Sequence, residues 1–519
     1  MATITIDQNS KRQMAVNIVS SVCNYGLAVA ITFFLTPYII SKLGTAAYGF
    51  LGLSNNIIAY AALITVALNS MSGRFITLKY HEGNIHEANR YLSSTYFANL
   101  AFALFTTLLL GGCTFFLEGL INIPPNLVAD VKFLFVLLFV NQSLSLLSGV
   151  FGISTFIKNR LDWENVRGMI GTILRTVLLI VMYGFFPAQL WYFGLTAIVC
   201  TLYVAFVNWR FYCRLTPELA ISRKTFDMTH VWELTKAGAW NLLSSLSNIL
   251  NQGFELLLAN IFVGAYAMGI LSITKALPLL ILGIFGTLAN NFAPVYVKLY
   301  ADKDFDELRR KLLQSVRILG LLSSIPIAVI FSYGDMFYAN WLPDENIRLL
   351  YWLTAVSFVG TQFALPSESL WYIFTLTNRV KRASINLIEN ASLTFIIVVI
   401  GLFFIEVDTL KLFWIISVRT VLGVCRCLTF LPIYGAKVLD FPRFTFYRPI
   451  LRSVLSSLTL IAMSLLFRHF CLIGSGWISL IVGCSVTVII GLTVNLRIAL
   501  NPSDRAWLVN FINRKLHKQ

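Results

Sequence analysis

Residues 17–24, NIVSSVCN, return at residues 241–248 as NLLSSLSN. Asn17, Ser20, Ser21 and Asn24 thus recur as Asn241, Ser244, Ser245 and Asn248. The repeat runs on, with Gly44 and Gly49 recurring as Gly264 and Gly269 and Tyr80 as Tyr300. Between the two blocks the second copy is shorter by about one helical turn. Each copy opens a hydrophobic half, so the chain reads as an internally duplicated membrane protein, a construction common among transporters. Both copies enter their helices from the same side, six spans apart. The repeat is therefore parallel and predicts a pseudo-two-fold axis along the membrane normal.

Composition agrees with that reading. Of 519 residues, 57% are apolar and 12% charged, roughly half the charged fraction of a soluble domain. The expected fold is an all-α polytopic membrane protein. Apolar runs that reach the roughly 20 residues needed to span a bilayer lie at 14–40, 48–70, 92–117, 131–155, 168–187, 189–209, 237–263, 265–297, 312–333, 347–375, 384–405, 410–435, 449–467 and 476–496. That makes about fourteen helices. The divisions at Pro187 and Ala265 are the weakest, which leaves twelve or thirteen open. The expected organisation is a six-helix lobe at 1–209, a cytoplasmic linker at 210–236, a second six-helix lobe at 237–435, and two further helices with a tail at 436–519. In that tail Trp507, Leu508, Phe511, Ile512 and Leu516 share one helical face flanked by cations, the pattern of a helix lying on the inner membrane surface.

With the N-terminus inside, most of the 40 Lys and Arg fall in cytoplasmic segments, which is the positive-inside signal. The net charge of +16 is then chiefly a topology device that meets anionic lipid headgroups. Nucleic acid has no soluble domain here to hold it. The polar start with Lys11 and Arg12 before a long first span reads as an uncleaved anchor. Both termini are expected in the cytoplasm.

Catalysis and metal chemistry find no place in the pattern. The eight cysteines include no CxxC pair, and the five histidines are scattered. No phosphate-cradling Gly-rich loop stands out. The longest external connections, near 118–130 and 334–346, are short for a membrane polymerase or ligase. A non-enzyme without cofactor is expected.

Polar residues inside the spans carry the functional argument. Asn241, Ser244, Asn248, Gln252 and Glu255 are spaced by 3, 4 and 7, so they form one stripe on a helix. Asn17, Ser20 and Asn24 make the matching stripe. These stripes either knit helices together or line a hydrated cavity, and Glu255 favours the cavity. Arg175, Lys275, Arg419 and Arg426 fall within spans, where each costs about 2.5–3.5 kcal/mol on insertion scales. Glu255, Glu368 and Glu389 are possible ion-pair partners, but the cations outnumber them. A basic cleft suits an anionic cargo, and Arg suits phosphate through its fork of donors. Arg74, with Lys79, extends this basic surface toward the inner mouth or serves as a topology anchor. Glu255 and Glu368 are candidates for proton or sodium coupling, and Pro366 predicts a kink beside Glu368. Pro278 and Pro294 invite flexure in the eighth span.

The opening NIVSSVCNYGLAVAITFFLTPYIISKLGTAAYGFLGL, the Gly73-Arg74-Phe75 step, the KYHEGN turn, the KNRLDWEN loop at 158–165 and NNFAPVYVKLY at 290–300 together resemble the polysaccharide or O-antigen flippases. These belong to the multidrug/oligosaccharidyl-lipid/polysaccharide exporter superfamily. The resemblance spans nearly the whole chain and rests on diffuse motifs. It implies two six-helix bundles plus two C-terminal helices in a bacterial inner membrane. It also implies alternating-access flipping of a polyprenyl-diphosphate-linked oligosaccharide for cell-surface polysaccharide, with a polymerase or ligase as possible downstream partner. A multidrug antiporter or a lipid II flippase shares that fold, and a membrane glycan polymerase or ligase is the rival of another class.

Overall fold

The computed structural model describes residues 8–471, 474–502 and 505. The tail from Trp507 and the side chain of Gln252 lie outside the described residues. Among those residues there is no strand, and fourteen long helices make the fold. They are α1 (Gln8–Leu43), α2 (Thr45–His81), α3 (Ile85–Cys113), α4 (Val128–Phe151), α5 (Leu161–Phe185), α6 (Tyr192–Leu215) and α7 (Met228–Phe262). The series continues with α8 (Ala265–Asn290), α9 (Phe305–Trp341), α10 (Ile347–Ser367), α11 (Val380–Phe404), α12 (Asp408–Leu428), α13 (Tyr447–Cys471) and α14 (Trp477–Thr493). Thirteen segments among the described residues are long and apolar enough to cross a membrane; α7, with its polar stripe, is the fourteenth long helix. The chain is a multi-pass membrane protein. Both weak divisions are real breaks: α5 ends before Pro187, and Gly264 separates α7 from α8 at φ +132°, a backbone state that L residues with a side chain rarely adopt.

The duplication is written into the turns. Before α3 the chain passes Gly83 at φ +77°, and before α9 it passes Lys303 at φ +56°. Asn84 then accepts the backbone N–H of Glu87 at 3.1 Å, and Asp304 accepts that of Glu307 at 3.0 Å. Each side chain satisfies a donor that the first helical turn leaves open. Helices α5 and α11 have 25 residues each. They follow Asn159 and Asn378, left-handed at φ +52° and +54°. Ahead of those asparagines stand matched five-residue helices, Ile153–Ile157 and Tyr372–Leu376. The expected disturbance near Pro366 takes a definite form. The helix runs through Pro366 to Ser367 and then tightens into a 3-10 turn over Glu368–Trp371, as a chain lacking one amide donor readily does.

Internal packing divides the chain into two compact units, Met1–Gly269 and Ile270–Gln519. This differs from a division at the 210–236 linker because α7 packs lengthwise along α2. The approach is close enough that a Cβ added to Gly238 would lie 1.8 Å from the Ala67 carbonyl oxygen, so only glycine fits, as at many membrane helix interfaces. The first unit also pairs α4 with α6 and α1 with α5. The second is built around α9, which packs against α10, α13 and α14. Asp335 of α9 holds Arg468 of α13 through two hydrogen bonds of 2.7 Å, and Tyr333 donates to the Ser464 carbonyl at 3.2 Å.

Candidate functional site

Three of the four cations placed at depth by the sequence come together in the second unit. Lys275 and Pro278 of α8, Gly360 and Thr361 of α10, and Arg419, Gly423 and Arg426 of α12 line one cavity of about 140 Å3. Positions 419, 423 and 426 follow the i, i+4, i+7 rule, so α12 presents both guanidinium stems on one face. Thr420 secures that face by donating to the Val356 carbonyl of α10 at 3.3 Å. Gly360 stands beside Thr420, where an added Cβ would make an ordinary contact at 3.6 Å. Lys275 is only 6% exposed.

No carboxylate stands among the described lining residues of this cavity. Glu368, in the 3-10 turn, lies within electrostatic reach of Arg426 but forms no ion pair with it among the described residues. The Arg426 guanidinium instead sits 5.7 Å from the Trp371 ring centroid, and its buried Nε has no protein acceptor. A buried charged donor without a partner costs about 1–3 kcal/mol or more.

The other expected residues separate from this cluster. Arg175 does not join the cationic cavity: it lies on α5 of the first unit, 4.1 Å from the Phe193 ring centroid of α6, and its Nε has no protein acceptor. Arg74 is exposed on α2 and lines neither cavity described here. Glu389 is corrected as a partner for buried cations, since it pairs with Arg382 at 2.9 Å and both are about half exposed. Glu255 is 1% exposed on α7, within electrostatic reach of Tyr60 on α2. The neighbouring Gly253 carbonyl accepts Asn56 Nδ2 at 3.1 Å.

The first polar stripe is a seam between helices. Asn17 Nδ2 donates to Asn159 Oδ1 at 3.2 Å, and Asn17 Oδ1 accepts the Asp162 amide at 3.0 Å. Asn165 Nδ2 donates to Ser20 and Ser21 at 3.0 and 2.8 Å. Asn24 lies against Gly168. All four stripe residues thus face α5 or the turn before it. On α7, Ser244 donates back to the Trp240 carbonyl at 3.1 Å, Asn241 is half-buried and Asn248 exposed. The second copy therefore lacks the tight seam of the first among the described contacts of Asn241 and Asn248.

A larger cavity, about 510 Å3, lies in the first unit between α2, α3 and α4 and reaches Glu164 of α5. No Lys or Arg is among its described lining residues. The sequence reading missed it because its walls carry hydroxyls and amides and no charge at depth. Two buried cations were missed as well. Arg317 of α9 is 8% exposed; it falls near the start of the run at 312–333 and closely follows Arg309, Arg310 and Lys311. Arg167 precedes the fifth apolar run; its Nε and Nη1 are buried without an acceptor, and Glu164 stands 3.6 Å away.

No family model matches the chain. A curated relative, "Uncharacterized membrane protein EpsK" of Bacillus subtilis (strain 168), is 29% identical over 375 residues, covering 72% of this chain and 74% of the relative. Among solved structures, "Lipid II flippase MurJ, inward closed conformation" matches with TM-score 0.63 and 14% identity over 93% of this chain and 99% of that one. An outward-facing multidrug resistance MATE family transporter of the MOP superfamily matches with TM-score 0.55 and 15% identity, covering 82% and 97%. The chain has the fold these transporters share.

Proposed function

We propose that this protein flips a polyprenyl-diphosphate-linked oligosaccharide from the cytoplasmic to the outer leaflet of a bacterial inner membrane by alternating access. The observation that carries the reading is the convergence of Lys275, Arg419 and Arg426 on one cavity whose described lining has no carboxylate. A diphosphate brings roughly two negative charges, and guanidinium forks hold its oxygens in pairs. A cationic drug would instead call for acidic residues there. The likeness to a structure named as a lipid II flippase supports a lipid-linked cargo, and the name of the MATE neighbour supports transport in general. Moving two negative charges outward across an inside-negative potential is favourable by about 2.3 kcal/mol per charge per 100 mV. The field therefore helps the loaded step, and protons or sodium acting at Glu255 or Glu368 would reset the carrier. A polysaccharide polymerase or ligase would consume the product.

Deleting the gene and fractionating the membrane lipids tests the reading. Undecaprenyl-linked repeat units should accumulate on the inner leaflet; unchanged lipid-linked glycan with unchanged surface polysaccharide rejects it.

A further inference from the structure

The cavity of the first unit has its own chemistry. Its α2 wall presents Thr65, Asn69 and Ser72, and its α4 wall Gln142 and Ser145. The first set is spaced by 4, 3 and 7 and the second by 3, so each shares one helical face. At about 510 Å3 it falls within the roughly 300–1,000 Å3 of small-molecule pockets.

Three of its polar groups are unused by the fold. Thr95 is 1% exposed and lines the cavity, yet its hydroxyl has no hydrogen-bond partner. Gln142 and Ser145 make no side-chain hydrogen bond among the described residues, and Ser145 is exposed. Asn69, by contrast, is fixed: it exchanges two amide hydrogen bonds with Asn99 at 3.0 and 2.9 Å. The site thus offers neutral donors and acceptors on a partly rigid frame, beside apolar surface from Val66, Ile153 and Phe156. Without a cation in its described lining it is a poor phosphate site. Its one carboxylate, Glu164, is already balanced by Arg167.

We infer that this cavity is a carbohydrate subsite, which binds a neutral sugar of the cargo through hydroxyl and amide hydrogen bonds and an apolar wall. The inference rests on the flippase reading and extends it: this subsite recognises the glycan part of the cargo. Each neutral hydrogen bond lost should weaken binding a few-fold.

The test uses full-length protein in nanodiscs and two probes: undecaprenyl diphosphate, and the glycan-bearing lipid extracted from cells deleted for this protein. Wild type should bind the glycolipid at least tenfold more tightly. Thr95→Val keeps the side-chain shape and removes a hydroxyl the fold does not use, so thermal stability should hold or rise. Its glycolipid affinity should fall about fivefold with undecaprenyl diphosphate affinity unchanged. Gln142→Ala with Ser145→Ala should remove most of the preference. Equal binding of the two probes by wild type, or variants that weaken both probes alike or neither, overturns the inference while the flippase reading stands. If wild type binds neither probe, both fall.

Discussion

Helices α4 and α10 are interrupted at equivalent places by unlike residues. In the first half the break passes Gly149 and Gly152 and borders the neutral cavity. In the second it passes Pro366 and a 3-10 turn that sets Glu368 near Arg426 and the cationic cavity. After each break comes a five-residue helix, a left-handed asparagine and a 25-residue helix. Turn chemistry has thus held the backbone of the two copies together while the side chains at the breaks diverged. The common parts explain the scaffold, and the unlike parts locate the chemistry. Every experiment that separates those two roles sharpens the comparison.

The largest effect is expected where the halves differ most in charge. Replacing Lys275 and Arg419 together with Ala should lower transport at least about 100-fold, since losing buried contacts to a charged ligand group costs about 2–5 kcal/mol. Whether the fold suffers in proportion separates a ligand role from a structural one. Flux and melting temperature measured on the same preparation decide the matter. Loss of flux with an equal or higher melting temperature supports a ligand role, whereas parallel loss of both makes the cluster structural.

A stability effect of about 1–3 kcal/mol is expected from Gly238→Ala, where the new methyl meets the Ala67 carbonyl. The position matters because α7 belongs by packing to the first unit. The variant should expose α7 to proteolysis before α9 or α13; simultaneous loss of all three would show that the units do not unfold separately.

Exchanging Glu368 for Gln probes the second break alone. Flux under an imposed ion gradient should fall several-fold, while flux without a gradient should change little. The control is Gly149→Ala at the equivalent break, which lies in open space and should leave gradient dependence intact. Equal responses to the gradient in Glu368→Gln and wild type would remove Glu368 as a coupling group.

Much of this organisation is legible in the amino-acid sequence. Fourteen apolar runs, the repeat and the breaks at Pro187 and Ala265 follow from hydropathy and turn residues, which act locally. The three cations of the second unit were recognisable because charge at membrane depth is costly whatever surrounds it. What surrounds a neutral polar residue is a different matter. Asn17, Ser20 and Asn24 have the spacing of a cavity wall and equally of a helix seam, and only the position of Asn165 on α5 decides between them. Arg175 was recognisable as buried but not as the neighbour of Phe193, since packing angles between helices leave no mark in spacing. The neutral cavity escaped notice for the same reason.

The smallest effect lies where the halves have no counterpart, in the linker between α6 and α7. Asp227 caps α7 by accepting the Thr229 amide at 2.8 Å. It also meets Arg90 of α3 and, at 3.2 Å, His230 of α7. Glu87 of α3 contacts the same His230 and Arg90. Donation from Thr229, then the charges of His230 and Arg90, hold the Asp227 carboxyl below its ordinary range. A carboxyl depressed in the folded state contributes stability above its unfolded value, near 4, and loses that contribution as pH falls toward the folded value. Linker protection against protease should therefore be full at neutral pH and weaken below about pH 4. Asp227→Asn separates the two roles, because Asn caps helices as well as Asp does but carries no charge. The variant should keep α7 capped and show slightly faster linker cleavage at neutral pH, with a weaker acid dependence than wild type. An unchanged acid dependence would assign the effect to Glu87, the other carboxylate of this cluster.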